Sequence, residues 1–166
     1  VHFPSRREGK KKSEPRRINA AKVVRKIVDE ILATDANAKI IIMGDCNDEP
    51  TDISLTQYIK ADNSQTPNDG ILFNAMYSLH QAGKGSYFHE NKFDMIDNLI
   101  VSDGLLFAES GIKYKKNSAA VFQPLFITQQ KPEKFKGAPQ RTFAGDKYFS
   151  NGYSDHFPIY CILEKK

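Results

Sequence analysis

The sequence predicts a single mixed α/β (α+β) domain, and three observations carry that prediction. The stretch "RINAAKVVRKIVDEILATD" places Ala20, Ala21, Val24, Ile27, Val28, Ile31 and Leu32 at the i, i+3/i+4 spacing of an amphipathic helix. The runs "AKIIIMGD", "DNLIVSDG" and "FPIYCILE" are short, apolar and bounded by turn residues, as strands are. The chain of 166 residues, 40% hydrophobic and 11% aromatic, can build one core of ordinary size. No run approaches the ~20 apolar residues of a membrane-spanning helix.

Taken in order, "VHF" at the start reads as a strand already under way, which implies further chain upstream. Ser13, Glu14 and Pro15 are expected to cap the long helix. "AKIIIMGD" is expected as a fully buried strand stopped by Gly44 and a polar turn. "EPTDISLTQYIK" reads as a brief helix begun at Thr51 or Asp52, and the polar loop after it carries turn chemistry at Asn68-Asp69-Gly70. "DNLIVSDG" is a second strand with a clear stop. "AAVFQPLFI" is a strand or a helical segment broken at Pro124. "KPEKFKGAPQRTFAGDKYFSNG" reads as a loop, and a loop of that length in a compact domain usually serves a function.

The net charge of +4 is unevenly spread. Arg6, Arg7, Lys10, Lys11, Lys12, Arg16 and Arg17 face only Glu8 and Glu14 within one short block. Such a block is a solvated loop or a patch for a phosphate-bearing partner. Cys46 and Cys161 lie far apart beside apolar runs and read as buried free thiols. They leave the compartment open, with a secreted or periplasmic setting as the expectation.

Three acidic turns sit at strand ends. "MGDCND" supplies Asp45, Asn47 and Asp48; "FDMIDNLIVS" supplies Asp94 and Asp97; "YSDHFP" supplies Asp155 and His156, and His2 stands at the chain's start. Singly, each acid reads equally well as a turn residue. Jointly they form the oxygen-rich set that a hard cation prefers, with two imidazoles able to move protons near neutral pH.

"VHFPSRR", "IIMGDCND", "IDNLIVS" and "GYSDHFPIY", in this order, resemble the endonuclease/exonuclease/phosphatase superfamily, which includes deoxyribonuclease I-like nucleases, neutral sphingomyelinases and inositol polyphosphate 5-phosphatases. The resemblance covers nearly the whole chain, and its strongest pieces are G-D-x-N and S-D-H. It implies a four-layer αββα sandwich of the deoxyribonuclease I-like type. It also implies a Mg²⁺-dependent (or Mn²⁺- or Ca²⁺-dependent) phosphohydrolase acting on a phosphodiester or phosphomonoester: nucleic acid, a phospholipid headgroup or a sugar phosphate. By that resemblance Asp45 activates the attacking water, Asn47 contacts the phosphate, and Asp97 holds His156 against it. His2 is the family's second histidine and Asp155 lies by the metal. Arg6, Arg7 and Arg141 are expected beside the substrate phosphate, where planar guanidinium donors suit it.

Two departures stand against the family pattern. The Asn-bearing strand and the Glu-bearing metal-binding element that precede the His2 motif are not in this sequence. Residues 1–166 are therefore expected to be the C-terminal part of one domain, completed by an N-terminal segment. Cys46 stands where an aromatic is commoner and reads as packing. The rival reading is a protein with this fold that binds phosphate or nucleic acid without turnover.

Overall fold

The computed structural model describes residues 1–67 and 70–166, so the turn expected at Asn68-Asp69 lies outside the described residues. Helix α1 (Lys10–Thr34) leads into β1 (Ile41–Asp45), a π-helical turn (Ser54–Ile59), β2 (Ala61–Asp62) and β3 (Leu72–Asn74). Short α2 (Tyr77–Gln81), the hairpin β4 (Tyr87–His89) and β5 (Lys92–Asp94), β6 (Asp97–Val101) and α3 (Asp103–Leu106) follow. The rest is carried by β7 (Ile112–Tyr114), β8 (Ala120–Val121), β9 (Phe143–Ala144), β10 (Lys147–Tyr148), β11 (Ile159–Tyr160) and β12 (Leu163–Lys165).

Four strands pair in the order β1-β6-β3-β2. In β6 the side chains alternate between two cores, as the pleat requires. Ile100 joins Ile42, Leu72 and the α1 residues Ala21 and Val28 on one face. Leu99 and Val101 join Phe73, Tyr114 and, at the margin, Val121 and Ile159 on the other. The sheet thus lies between α1 and two small ladders, β7–β12 and β8–β11. The antiparallel register Ile42↔Ile100 and Met43↔Leu99 sets Asp45 opposite Asp97 at the strand ends. A one-residue slip would exchange the two cores, so burial on both faces of β6 also fixes where those carboxylates meet.

Several elements differ from the sequence reading. Strand β1 is not fully buried: Ile41 and Met43 are exposed while Ile42 is covered by the α1 side of the core, and residues 1–3 run along its outer edge. Helix α1 begins at Lys10 after Gly9, so Ser13 and Pro15 lie inside it and Ser13 Oγ donates back to the Gly9 carbonyl. Its buried stripe runs Ser13-Arg17-Ala21-Arg25-Val28, and Ile27 and Ile31 face solvent. The stripe is set by tertiary partners: Arg25 donates to the Ile59 and Gly70 carbonyls, anchoring the helix to the end of the π-helical turn.

The basic block is accordingly neither a solvated loop nor an open patch throughout. Arg17 is fully buried with Nε 2.7 Å from Asp48 Oδ1, and Lys10 Nζ lies 2.7 Å from Asp52 Oδ1. Arg16 pairs with Glu8 on the surface. The "AAVFQPLFI" stretch gives β8 and, after Pro124, a single 3₁₀ turn. The last apolar run is split into β11 and β12, and the long loop contains the β9–β10 hairpin. Both cysteines are free, Cys46 buried and Cys161 half-buried.

Candidate active site

The end of the sheet assembles residues from four distant segments into one row. Residues 1–3 run parallel along the edge of β1, with the Phe3 amide donating to the Asp45 carbonyl at 2.8 Å and His2 bridging Asp45. That close approach needs Gly44, whose φ is +132°; a Cβ there would sit 2.1 Å from the Val1 carbonyl oxygen. Asp45 faces Asp97 through the β1–β6 register. The hairpin β4–β5 then brings Tyr87 against His156 by an isolated antiparallel bridge. The row reads His2, Asp45, Asp97, His156.

His2 Nε2 lies 3.4 Å from Asp45 Oδ2, with the imidazole largely exposed. The half-buried Asp45 carboxylate is held by an Asx turn: the Asn47 amide donates to Oδ1 at 2.7 Å and Asn47 Nδ2 to Oδ2 at 3.0 Å. Asn47 Nδ2 also reaches the Phe3 carbonyl at 3.0 Å, locking the His2 segment to the Asp45 turn. On the other flank His156 Nδ1 meets Asp97 Oδ2 at 2.6 Å. The Tyr87 ring lies 4.8 Å from the imidazole, tilted by 40°. Fixing Nδ1 on a carboxylate leaves Nε2 to meet a ligand.

Two members of the row have shifted proton affinity. Burial pushes the Asp45 carboxyl above its ordinary 3.8, the charge of Asp97 adding to this and the Asn47 amide, His156 and His2 opposing it. For His156 burial disfavours the charged ring, but the hydrogen bond and charge of Asp97, with Asp45 and Asp155, outweigh it and raise the pKa above 6.5. The linkage has a definite sign. A raised imidazole pKa contributes stability that is fully present below the unfolded value and lost as pH rises through the folded one.

Ser86 was not legible in the sequence, since a serine between Gly85 and Tyr87 has no local pattern that marks it. It is buried, and its Oγ donates to Asp97 Oδ2 at 2.5 Å, the same oxygen that holds His156. Ser86→Ala is expected to raise the His156 pKa further, because that oxygen's charge would then be shared by the ring alone. A proton NMR titration of the imidazole checks this; a downward shift would contradict it. Beneath the row Asn98 spans the Asn74 amide and the Asp48 carbonyl, a fully buried polar brace that the sequence also did not reveal.

The other acids of the three turns go elsewhere. Asp48 is buried on Arg17 and Ser54, and Asp94 is buried beside Lys92 and Arg6. Arg6, expected at the substrate phosphate, is instead taken up by protein groups. Its Nε donates to the Asn47 carbonyl, and Nη2 lies 3.1 Å from Asp52 and 3.5 Å from Asp48. Arg7 is exposed. Arg141 Nη2 donates to the Phe88 carbonyl at 3.2 Å, next to Tyr87.

Asp155 is exposed next to His156. A magnesium ion wants about six oxygens in a near-octahedral shell. Among the described residues no three His, Cys, Asp or Glu side chains converge as a cation cage would need. A cage built from protein side chains alone therefore does not fit the residues described.

No curated protein and no solved structure matches the chain. The model of the Endonuclease/Exonuclease/phosphatase family matches residues 1–165, which includes every member of the row. A match over practically the whole length, on a mixed α/β fold whose sheet end carries both the G-D-x-N turn and the S-D-H turn, shows that the chain belongs to the endonuclease/exonuclease/phosphatase family.

Proposed function

We propose that the chain hydrolyses a phosphate ester by attack of an activated water, and that the row His2–Asp45–Asp97–His156 is the observation that carries this reading. Membership of the family supports phosphate-ester hydrolysis in general; the roles of individual residues are our assignment. Asp45, a carboxylate of raised proton affinity that is still open to solvent, accepts the proton of the attacking water. Asn47 keeps that carboxylate in place; to contact the phosphate its Nδ2 would exchange one of the bonds it makes to Asp45 and to the Phe3 carbonyl. His156, whose protonated form Asp97 favours, stabilises charge on the phosphoryl oxygens, the kind of interaction that dominates phosphoryl transfer. His2, exposed and 3.4 Å from Asp45, stands where it can meet a phosphate oxygen or the leaving group. Arg6, Arg7 and Arg141 supply further positive charge, Arg6 while also paired with Asp48 and Asp52.

The substrate is a phosphodiester or phosphomonoester in a nucleic acid, a phospholipid headgroup or a sugar phosphate. Enzymes of the family are generally dependent on a divalent metal, and we propose Mg²⁺, with Mn²⁺ or Ca²⁺ as substitutes. Such an ion neutralises phosphate charge when bound, and it commonly takes only one or two carboxylates beside substrate oxygens and water. Asp155 is the carboxylate offered for it.

We also infer the four-layer sandwich and an N-terminal portion of the same domain as partner. The observation in support is apolar surface left open on the ladder layer, at Ile112 (51% exposed), Tyr160 (45%), Ile162 (45%) and Leu163 (43%). Hydrolysis of bis-p-nitrophenyl phosphate with Mg²⁺, then with EDTA, tests the reading on this chain and on a form extended upstream. Turnover that EDTA abolishes and Mg²⁺ restores is the expected result. Turnover by neither form would overturn it.

A further inference from the structure

The segment that leads into His156 encloses a cleft of about 650 Å³, within the size range of small-molecule sites. Its walls come from the long segment between Gln129 and Gly152. Three cations line it, Lys131, Arg141 and Lys147, together with the aromatic rings of Phe135, Tyr148 and Phe149; among the described residues no carboxylate does. The rings are open to solvent, Tyr148 at 61% and Phe135 at 40%. Lys147 Nζ lies over one face of the Phe149 ring, 5.1 Å from its centre, which places positive charge next to the ring.

The cleft is built onto the catalytic end of the sheet. Arg141 is tied to the Phe88 carbonyl, one residue from the Tyr87 ring that packs on His156. The far wall closes through Gly152, where a Cβ would lie 2.1 Å from the Arg141 carbonyl oxygen, and through the Tyr153 amide, which donates to the Gln140 carbonyl. From there the chain runs directly into Ser154, Asp155 and His156. The cleft is thus joined to His156 both through the chain and through the Arg141–Phe88 contact.

We propose that this cleft is the specificity subsite of the enzyme and that it holds a nucleotide: a base stacked on Tyr148 and Phe149, with its phosphate side met by Lys131, Arg141 and Lys147. Cations without a competing carboxylate select an anion, and open rings select a flat partner whose π-face they can cover. A nucleoside phosphate joins both in one molecule. The assignment rests on the hydrolytic reading above and adds to it the class of substrate.

The test uses thymidine 5′-monophosphate as a binding probe, by calorimetry on the His156→Ala form, and thymidine 5′-(p-nitrophenyl phosphate) as substrate for the wild type. Tyr148→Ala and Lys131→Glu, both on exposed residues, are each expected to weaken the probe and raise KM by about tenfold or more with kcat unchanged. Ribose 5-phosphate, which lacks the base, is expected to bind more weakly than the probe by a similar factor. Equal binding of the two compounds, or insensitivity to both substitutions, would overturn the subsite. Turnover of bis-p-nitrophenyl phosphate without probe binding would sink the subsite and leave hydrolysis standing. Probe binding that depends on Tyr148 and Lys131, without turnover of any ester, would keep the nucleotide cleft and overturn the hydrolytic reading beneath it.

Discussion

Replacing Asp45 by Asn is expected to lower kcat for phosphate-ester hydrolysis by about 10²–10⁴-fold, the range that positioned acid–base groups contribute. The change keeps the shape of the side chain and its place in the Asx turn with Asn47, so the fold should persist. What it removes is a proton acceptor that burial and the charge of Asp97 have made more basic than an ordinary carboxylate. His156→Ala should cost a comparable factor, because it takes away the imidazole that Asp97 holds 2.6 Å from its carboxylate oxygen and whose protonated form it favours. The two pKa directions together set the pH profile. The acid limb of kcat/KM should lie above 3.8, where Asp45 loses its proton, and the alkaline limb above 6.5, where His156 loses its own. Asp97→Asn should draw the alkaline limb downward. Steady-state rates across pH with folded variants, checked by circular dichroism, measure all of this. An Asp45→Asn enzyme near the wild-type rate would remove Asp45 from the chemistry.

Arg17→Ala is the largest effect expected on stability, a loss of about 3–5 kcal/mol, because breaking a buried pair strands the other charge. Arg17 and Asp48 are both buried, their side chains meeting at 2.7 Å. The guanidinium also donates to Ser13 Oγ at 2.6 Å and to the Lys10 carbonyl at 2.7 Å, so one side chain ties the first turns of α1 to the turn after β1. Ser54 Oγ remains on Asp48 at 2.6 Å in the variant, which softens the loss without supplying a countercharge. By contrast Arg16→Ala, which removes an exposed pair with Glu8, should change stability by less than about 1 kcal/mol. Urea unfolding of the two variants makes the comparison. Equal small losses would mean that Arg17 is not the tie that its burial indicates.

The two residues also show why the basic block was hard to read. Arg16 and Arg17 are neighbours of identical chemistry, and on a helix adjacent positions point about 100° apart. One therefore meets solvent and the other the protein interior. Nothing local distinguishes them, since the acid that buries Arg17 lies 31 positions later, at Asp48. Arg6 follows the same rule: its place after the His2 motif does not set which way a guanidinium turns, and in the structure it pairs with Asp48 and Asp52. The β1 reading failed on a related point. A β-branched run signals a strand, but whether its second face is covered depends on which strands lie beside it.

What the sequence determined by itself was the long helix, the strands that became β1, β6 and β11, and the order of four short motifs. Hydrophobic period marks a helix or strand within a dozen residues, and the G-D-x-N and S-D-H turns are local patterns that identify the family. Tertiary structure alone decided which acids share the site. Asp45 and Asp97 meet because the β1–β6 register sets them opposite each other, whereas Asp48 and Asp94, from the same turns, are drawn off by Arg17 and Arg6. It also decided that Ser86 stands behind Asp97 and that the segment from Gln129 to Gly152 folds into a cationic, aromatic cleft tied through Arg141 to the Phe88 carbonyl. Those outcomes depend on contacts between residues tens of positions apart. Such contacts form only once strand pairing and core burial have fixed the register.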